Sequence, residues 1–322
     1  MRPALIPPLL AVAWGLNWPA VKIMLSVLPP FSTRALGLGL GVALLAALAL
    51  LQRKSLWPPR GAWVGIVVGG LLTVAVFNIC TAFAQLNTST SRAAVLTFTM
   101  PLMSALLAWF VLGERPGRRG GLALALGGLG IAVLAAPVLR QLAAGGSARG
   151  LVFPLLAALA WAVGTVAAKR WPPVGDRIVV TAWQLGLGAA CAGAAALAVG
   201  EQLPAVWPAR VVAALAYHVV IATAVAYVLW YRLLAGLSAT VASLTTLAVP
   251  VVGVLGAMAL VGDRPSGADW LGFALVLGGA ALVVLRLGRR APSPGPADFQ
   301  VPAVQARESQ AREASDSQPA GR

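Results

Sequence analysis

The chain has 322 residues, of which 59% are hydrophobic and only 10% are charged. A soluble domain carries about 25% charged residues, so this composition excludes an ordinary water-soluble enzyme. The net charge is +15, but the basic residues lie in short segments between apolar runs and form no continuous basic face. This distribution is typical of a bacterial inner-membrane protein and argues against a nucleic-acid partner.

Ten apolar runs are long enough to cross the hydrocarbon core, which takes about 20 helical residues. They lie at about 5–25, 33–51, 62–83, 93–112, 121–138, 150–168, 178–199, 210–231, 241–261 and 268–287. The first run resembles the apolar core of a signal peptide. It has no convincing small-residue cleavage site and contains Trp14, Asn17 and Pro19, so we interpret it as a retained span.

The composition of the last segment predicts its disorder, and the basic residues of the loops predict the orientation of the chain. Residues 289–322 are rich in Pro, Ala, Ser, Gln and charge, which predicts a disordered tail. With both termini in the cytoplasm, fourteen lysines and arginines lie at the inner ends and loops, and seven lie outside. The seven are Lys22, Arg34, Arg92, Arg140, Arg149, Arg210 and Arg264. The bias favours cytoplasmic termini and a cytoplasmic tail.

The two halves of the chain repeat one another. WGLNWPAVK at 14–22 matches WAVGTVAAK at 161–169, and PLMSALLAWFVLGERP at 101–116 matches PVVGVLGAMALVGDRP at 250–265. Each half holds five predicted spans, an odd number, so the second half must enter the membrane inverted. Inverted repeats place a solute site near the bilayer midplane, between the halves. We therefore predict two five-helix repeats, at 1–140 and 141–288.

These motifs resemble the EamA-type permeases of the drug/metabolite transporter superfamily. The resemblance covers about residues 1–290 and includes NTSTSRAAVLTFTMPLMSALLAWFVLGERP and YVLWYRLLAGLSATVASLTTLAVPVVGVLGAMALVGDRP. It implies ten helices in two inverted repeats, with the first, third and fourth helices of each half lining a cavity. It also implies movement of small metabolites, often amino acids or related compounds, across the bacterial inner membrane.

Polar side chains within the apolar runs are the candidates for solute contact, because polar groups in hydrocarbon usually face a cavity or another helix. The predicted substrate-binding residues are Trp14, Asn17, Asn78, Thr81, Gln85, Thr97, Trp161, Thr165, His218, Tyr227, Trp230 and Thr246. The lining suits a zwitterionic or amphipathic solute. For each aromatic residue the alternative is helix packing or an interfacial anchor.

Two further features carry open alternatives. Pro101 and Pro250 each free the carbonyl of the residue four positions earlier, Thr97 and Thr246, and so are candidate hinges or simple packing kinks. His218 is the only histidine. It can bind solute or carry a proton, or it can be a neutral imidazole bonded to a neighbouring helix.

The sequence thus predicts a secondary transporter that exports small metabolites by alternating access. Its partners are a small-molecule solute and the lipid bilayer, and we expect no cofactor, no metal and no enzymatic activity, because no acidic residue lies mid-span. The alternative is a lipid or polyprenyl-carrier translocase.

Overall fold

The computed structural model describes residues 5–112, 117–171, 174–226, 229 and 239–290, and no strand occurs among them. Within this part of the chain, seven helical stretches are long and apolar enough to cross a membrane. They are Pro8–Leu25, Pro30–Leu51, Arg60–Asn87, Thr90–Val111, Arg118–Arg140, Arg149–Ala168 and Arg177–Ala198. The protein is therefore an all-α, multi-pass membrane protein, as the composition predicts.

Three shorter apolar helices follow, at Ala209–Val225, Ala248–Val261 and Gly267–Leu282. The first seven predicted spans coincide with the seven long stretches to within a few residues, and the last three overlap the shorter helices. Ten transmembrane helices remain a prediction. The last helix ends at Arg290, two residues into the predicted tail, and 291–322 lie outside the described residues.

The α-helices are numbered in chain order. The first seven are α1 Ile6–Gly15, α2 Asn17–Leu25, α3 Pro30–Leu51, α4 Trp63–Gly69, α5 Phe77–Asn87, α6 Thr90–Thr97 and α7 Met100–Leu112. The other six are α8 Arg118–Ala143, α9 Arg149–Arg170, α10 Arg177–Ala198, α11 Ala209–Ala216, α12 Ala239–Val261 and α13 Gly267–Arg290. A short 3₁₀ turn, Arg60–Ala62, precedes α4.

Two stretches have π-helical geometry. Gly70–Val76 joins α4 to α5, and Tyr217–Val225 follows α11. We call them the first and second π segments. They occupy matching places in the two halves, in the predicted third and eighth spans. π-Helical turns are rare inside helices and are frequent at functional sites.

Prolines explain two interruptions of the spans. Pro19 has no N–H to donate to the carbonyl of Gly15, and α1 ends at Gly15. Likewise Pro101 cannot donate to the carbonyl of Thr97, and α6 ends at Thr97 before α7 begins at Met100. Pro250, by contrast, lies inside the continuous helix α12.

The main helix packing pairs helices from opposite halves of the chain. The second predicted spans of the two halves, α3 and α10, pack along each other, and so do the fifth, α8 and α13. The first span of the first half packs on the fourth span of the second half through α1 and α12. The reciprocal contact is also present, because α9, the first span of the second half, packs on α6 and α7, which form the fourth span of the first half. The core is therefore an interface between the halves.

Side-chain caps also connect the halves. Helix α3 has no capping side chain of its own, because Pro29 and Pro30 start it. Glu201 supplies the cap, accepting hydrogen bonds from the N–H groups of Phe31 at 3.1 Å and Ser32 at 2.7 Å. A carboxylate at a helix N-terminus satisfies free donors and stabilises the helix dipole.

Candidate solute-binding site

A group of polar side chains lies inside the helix bundle, contributed by α2, α3, α5 and the second π segment. We call this group the polar cluster. Its members are Asn17, Lys22, Arg34, Thr81, Gln85 and His218. Four of them are predicted binding residues, and Lys22 and Arg34 are additions from the structure. The spans that contribute these residues include the interruption after α1 and both π segments.

Asn17 and His218 join the two halves. The amide oxygen of Asn17 lies 2.7 Å from Nδ1 of the buried His218. Asn17 reaches it because α2 begins at this residue, directly after the interruption of the first span. The imidazole is thus bonded to a neighbouring helix, as the packing alternative for this histidine requires.

Arg34 and Thr81 join α3 to α5 within the cluster. Arg34 is only 3% exposed and donates from Nη2 to the Thr81 hydroxyl at 3.0 Å. Thr81 in turn donates to the carbonyl of Asn78 at 2.9 Å. The Asn78 amide donates to the carbonyl of Val74 in the first π segment, so this predicted binding residue bonds within its own span.

Gln85 and Lys22 complete the cluster one helical turn from Thr81. The Lys22 ammonium donates to the backbone carbonyl of Gln85. The side chain of Gln85 is buried, and its Oε1 has no hydrogen-bond partner among the described residues. Because residues four apart share a helix face, Gln85 and Thr81 present their side chains to the same side of α5.

The first span is tied to the second π segment by two aromatic side chains. The indole N–H of Trp14 donates to the carbonyl of Ala222 at 3.1 Å. The Tyr217 hydroxyl lies 3.2 Å from the carbonyl of Val12 and 3.1 Å from that of Ala13. All three bonds run to backbone carbonyls, which supports a packing role for each ring.

The predicted site residues of the second half's first span are Trp161 and Thr165, on α9. Trp161 is 38% exposed, and its ring centroid lies 4.9 Å from that of Phe77. Thr165 is exposed and donates to the carbonyl of Trp161 at 2.8 Å. Among the described residues, neither Trp161 nor Thr165 forms a hydrogen bond with a member of the polar cluster. Phe77 begins α5, and α9 packs along α5, so Trp161 adjoins a helix of the polar cluster without a hydrogen bond to its members among the described residues.

The remaining predicted binding residues are Thr97, Tyr227, Trp230 and Thr246. Thr97 is fully buried, and its hydroxyl has no hydrogen-bond partner in the described part of the chain. Tyr227 and Trp230 lie outside the described residues, and so does the side chain of Thr246. Of the two candidate hinges, Pro101 follows an interruption and Pro250 does not.

Sequence reasoning missed Arg34 as a site residue because it assigned this residue to the outer end of a span. The structure places it in the second turn of α3, which begins at Pro30. The signal in the sequence is the Pro29–Pro30 pair, since proline favours the first helical position and moves the helix start before Arg34. Lys22 was likewise assigned to the interface, and it bonds to α5 instead.

No group of three or more histidine, cysteine or acidic side chains that could hold a metal ion occurs among the described residues. The polar cluster offers two amides, one hydroxyl, one imidazole and two cations. Such a set can bind and orient a polar solute by hydrogen bonds and charge. The fold and the cluster together define a multi-pass helical membrane protein with a polar interior between its halves.

The family is shown by a family model that matches nearly the whole apolar part of the chain. The EamA-like transporter family model matches residues 5–136 and again residues 148–285. The chain belongs to the EamA-like transporter family and is therefore a membrane transporter. This confirms the family resemblance predicted from the sequence motifs.

Individual relatives agree with this assignment. The chain is 33% identical over 266 residues to "Uncharacterized protein PA1977" of Pseudomonas aeruginosa, covering 81% of this chain and 86% of the relative. It is 27% identical over 262 residues to "Uncharacterized transporter YvbV" of Bacillus subtilis, covering 79% and 82%. One solved protein crystal structure superimposes with a TM-score of 0.58 at 26% identity and covers 90% of this chain and 99% of its own.

Proposed function

We propose that the protein is a secondary carrier that exports small metabolites, such as amino acids or related amphipathic solutes, across the bacterial inner membrane. The observation that carries this proposal is the polar cluster between the halves. Asn17 of the first half and His218 of the second half meet at 2.7 Å inside the helix bundle. Polar groups within membrane-spanning helices are costly and are usually retained for a solute pathway.

The packing of helices supports alternating access by two inverted five-helix repeats at 1–140 and 141–288. The second spans of the two halves are in contact, α3 with α10, and so are the fifth spans, α8 with α13. The contact of α1 with α12 is likewise mirrored by α9 with α6 and α7. A two-fold arrangement of this kind suits rocking of one half against the other around a central site.

Three contacts between the halves support a state that is closed at the predicted periplasmic end. Glu201 caps α3, Asp269 pairs with Arg92 at 2.6 Å, and Asp263 accepts from the N–H of Ser91 at 2.7 Å. All three acids belong to the second half and all three partners to the first. Release of solute to the periplasm requires these contacts to part.

Counterflow in proteoliposomes tests the carrier function. Vesicles containing the full-length protein are loaded with unlabelled L-phenylalanine, L-leucine or L-threonine, and entry of the same labelled amino acid is measured. We expect transient accumulation above the level in protein-free vesicles. Absence of counterflow for all three, with transbilayer movement of a labelled phospholipid in the same vesicles, would replace the proposal with lipid translocation.

Trp14 provides a specific mutational prediction for this function. Trp14 lies near Asn17 in the first span, and Trp14→Ala removes its hydrogen bond to Ala222 in the second π segment. We expect about a 10-fold loss of counterflow. The matched control is Trp63→Ala, because Trp63 packs against Trp57 and Trp183, away from the polar cluster. Equal losses in the two variants at equal expression would remove Trp14 from the solute pathway.

A further inference from the structure

Arg34 is a buried cation that has no counter-ion among the described residues. It is 3% exposed, so it does not extend its guanidinium to the membrane surface as basic residues near helix ends usually do. The guanidinium stays charged at any physiological pH. A buried charge is costly unless it is paired and hydrogen-bonded. Arg34 is therefore expected to have a partner that supplies negative charge and accepts hydrogen bonds.

The protein provides only part of that partner. Nη2 of Arg34 donates to Thr81, but its buried Nε donates to nothing among the described residues. Arg92 shows what a satisfied arginine looks like in this chain. Its Nε and Nη2 both donate to Oδ1 of Asp269, at 2.9 Å and 2.6 Å. Of these two nitrogens in Arg34, only Nη2 has a partner among the described residues, and that partner is a hydroxyl where Arg92 has a carboxylate.

The surroundings of Arg34 add a second cation and an open acceptor. Lys22 reaches the backbone of Gln85, one turn along α5 from Thr81. No carboxylate pairs with Lys22 or Arg34 in the described part of the chain, where the ion pairs are Lys54–Asp176 and Arg92–Asp269. On the same face, Oε1 of Gln85 is buried without a donor. The missing groups are thus one anion and one hydrogen-bond donor.

We propose that Arg34, Lys22 and Thr81 form a carboxylate-binding subsite for the transported solute, with Gln85 accepting a hydrogen bond from its ammonium group. The adjacent N–H donors of the Arg34 guanidinium match the two oxygens of a carboxylate, and the hydrogen bond to Thr81 fixes the orientation of that guanidinium. An α-amino acid carries both missing groups on one carbon. The inference rests on the proposed function, because it names the chemical class of the solute that the carrier recognises.

Thermal unfolding of the purified full-length protein in detergent tests this subsite independently of transport. The probes are L-phenylalanine, L-leucine and L-threonine, each compared with its amide, which lacks the carboxylate, and with sodium chloride at equal ionic strength. A ligand that binds the folded state raises the unfolding midpoint. We expect stabilisation by at least one amino acid and not by its amide.

Variants assign the effect to the cluster. Arg34→Gln is expected to weaken apparent binding of that amino acid about 10- to 100-fold, the value of a charge-assisted hydrogen bond. Arg34→Lys keeps the charge without the adjacent guanidinium donors, and Thr81→Val keeps the shape without the hydroxyl, so either can be measured if Arg34→Gln does not fold. Arg210→Gln, at an exposed position of α11, is the control and is expected to bind normally.

The outcomes separate the subsite from the carrier function. Equal stabilisation by acid and amide, an equal effect of chloride, or unchanged binding in Arg34→Gln or Thr81→Val overturns the subsite, even if counterflow occurs. No stabilisation by any of the three amino acids overturns it as well. Carboxylate-dependent stabilisation that is lost in Arg34→Gln supports the subsite, even if counterflow is absent and the carrier proposal fails.

Discussion

His218 occupies space that only a glycine on the neighbouring helix leaves open. A methyl group on Gly37 would lie 2.7 Å from both Cδ2 and Nε2 of the imidazole ring. The ring cannot easily move away, because Nδ1 is held by Asn17. Since Gly37 is also one turn from Arg34 on α3, this close contact sets the distance between α3 and the second π segment at the level of the polar cluster.

We expect Gly37→Ala to destabilise the protein by about 1–3 kcal/mol through overpacking against His218. Gly39→Ala is the matched control, because nothing lies within 4 Å of its added methyl group. There the better helix propensity of alanine is expected to leave stability equal or slightly higher. The unfolding midpoint in detergent measures both.

A double variant identifies the cause. If the clash with the ring is responsible, Gly37→Ala will cost much less in a His218→Ala background, because the two positions are coupled. Full additivity of the two changes would show that Gly37 acts through another contact.

At this same scale, sequence reasoning located some residues of the cluster and missed others for physical reasons. Asn17, Thr81, Gln85 and His218 were predictable, because a polar side chain within an apolar run has few places to go except a protein interior. The role of Arg34 was not, because charged residues near span ends ordinarily lie at the interface. Only the three-dimensional arrangement shows that α5 covers it.

Among the helices, the contact between α8 and α13 depends on close backbone approach. A methyl group on Gly279 would lie 2.6 Å from the carbonyl oxygen of Ala123 and 2.9 Å from the amide nitrogen of Gly127. Backbone atoms cannot turn aside as a side chain can, so the whole helix would have to shift. Small residues at such interfaces are what allow membrane helices to pack closely.

Gly279→Ala is therefore expected to lower the unfolding midpoint, with a cost of about 1–3 kcal/mol from overpacking. The neighbouring Gly278→Ala tests specificity, because its added methyl group meets nothing within 4 Å. The same membrane yield and melting behaviour for both variants would mean that α13 is free to move away from α8. The proposed fifth-span pairing would then contribute little to stability.

A second contact between elements depends on pH. Asp176 caps the N-terminus of α10 and accepts from the N–H groups of Ile178 and Val179, while Lys54 pairs with it at 2.7 Å. Partial burial acts to raise the pKa of Asp176. The hydrogen bonds and charge of Lys54, with the two backbone bonds, outweigh this and bring the pKa below its ordinary value of 3.8.

A lowered pKa means that the contribution of Asp176 to stability is present above about pH 4 and is lost as the pH falls through the folded-state value. We expect Asp176→Asn, which can still cap α10, to show a shallower loss of stability between about pH 5 and pH 3 than the wild type. The difference will be small, because the Asp176 side chain is 36% exposed. Lys54→Gln should flatten the profile in the same way, and an unchanged slope in both variants would contradict the ion-pair account.

The positions of most helices were predictable from the sequence, and their internal irregularities only partly so. A long apolar run has to be helical in a membrane, because the backbone must satisfy its own hydrogen bonds there. Pro19 and Pro101 explain where α1 and α6 end. The two π segments carry no comparable local signal, because Gly70–Val76 contains ordinary apolar residues. Their matching places emerge only from the structure.

For the molecule as a whole, the repeat in the sequence predicts two inverted halves, and the described helices include contacts between those halves, as α3 with α10. Sequence similarity relates Trp14 to Trp161 and Pro101 to Pro250, whereas the structure brings different residues into contact. Which helices touch, such as α1 and α12, could not be read from one sequence, because packing partners leave no local pattern. The unequal placement of Trp14 and Trp161 shows that the halves, though related, are not equivalent in this conformation.

Orientation in the membrane is the remaining property of the whole molecule. The excess of lysine and arginine at one set of loops predicts that both termini face the cytoplasm. Lys22 and Arg34 were counted on the opposite side, yet both bond to α5, so setting them aside increases the bias. The same orientation puts the loop that contains Glu201 in the periplasm and the loop that contains Ser55 in the cytoplasm.

Single cysteines in these two loops test the orientation directly. Gln202 and Ser55 are both exposed, and the chain's own Cys80 and Cys191 can first be replaced by alanine. We expect a membrane-impermeant maleimide to label Gln202→Cys in intact spheroplasts, and to label Ser55→Cys only after the membrane is permeabilised. A fluorescent reporter that matures only in the cytoplasm, fused to Arg322, should give signal in the same cells. The reverse labelling pattern with a dark fusion would invert the topology, and the polar contacts of Glu201, Asp263 and Asp269 would then close the cytoplasmic end.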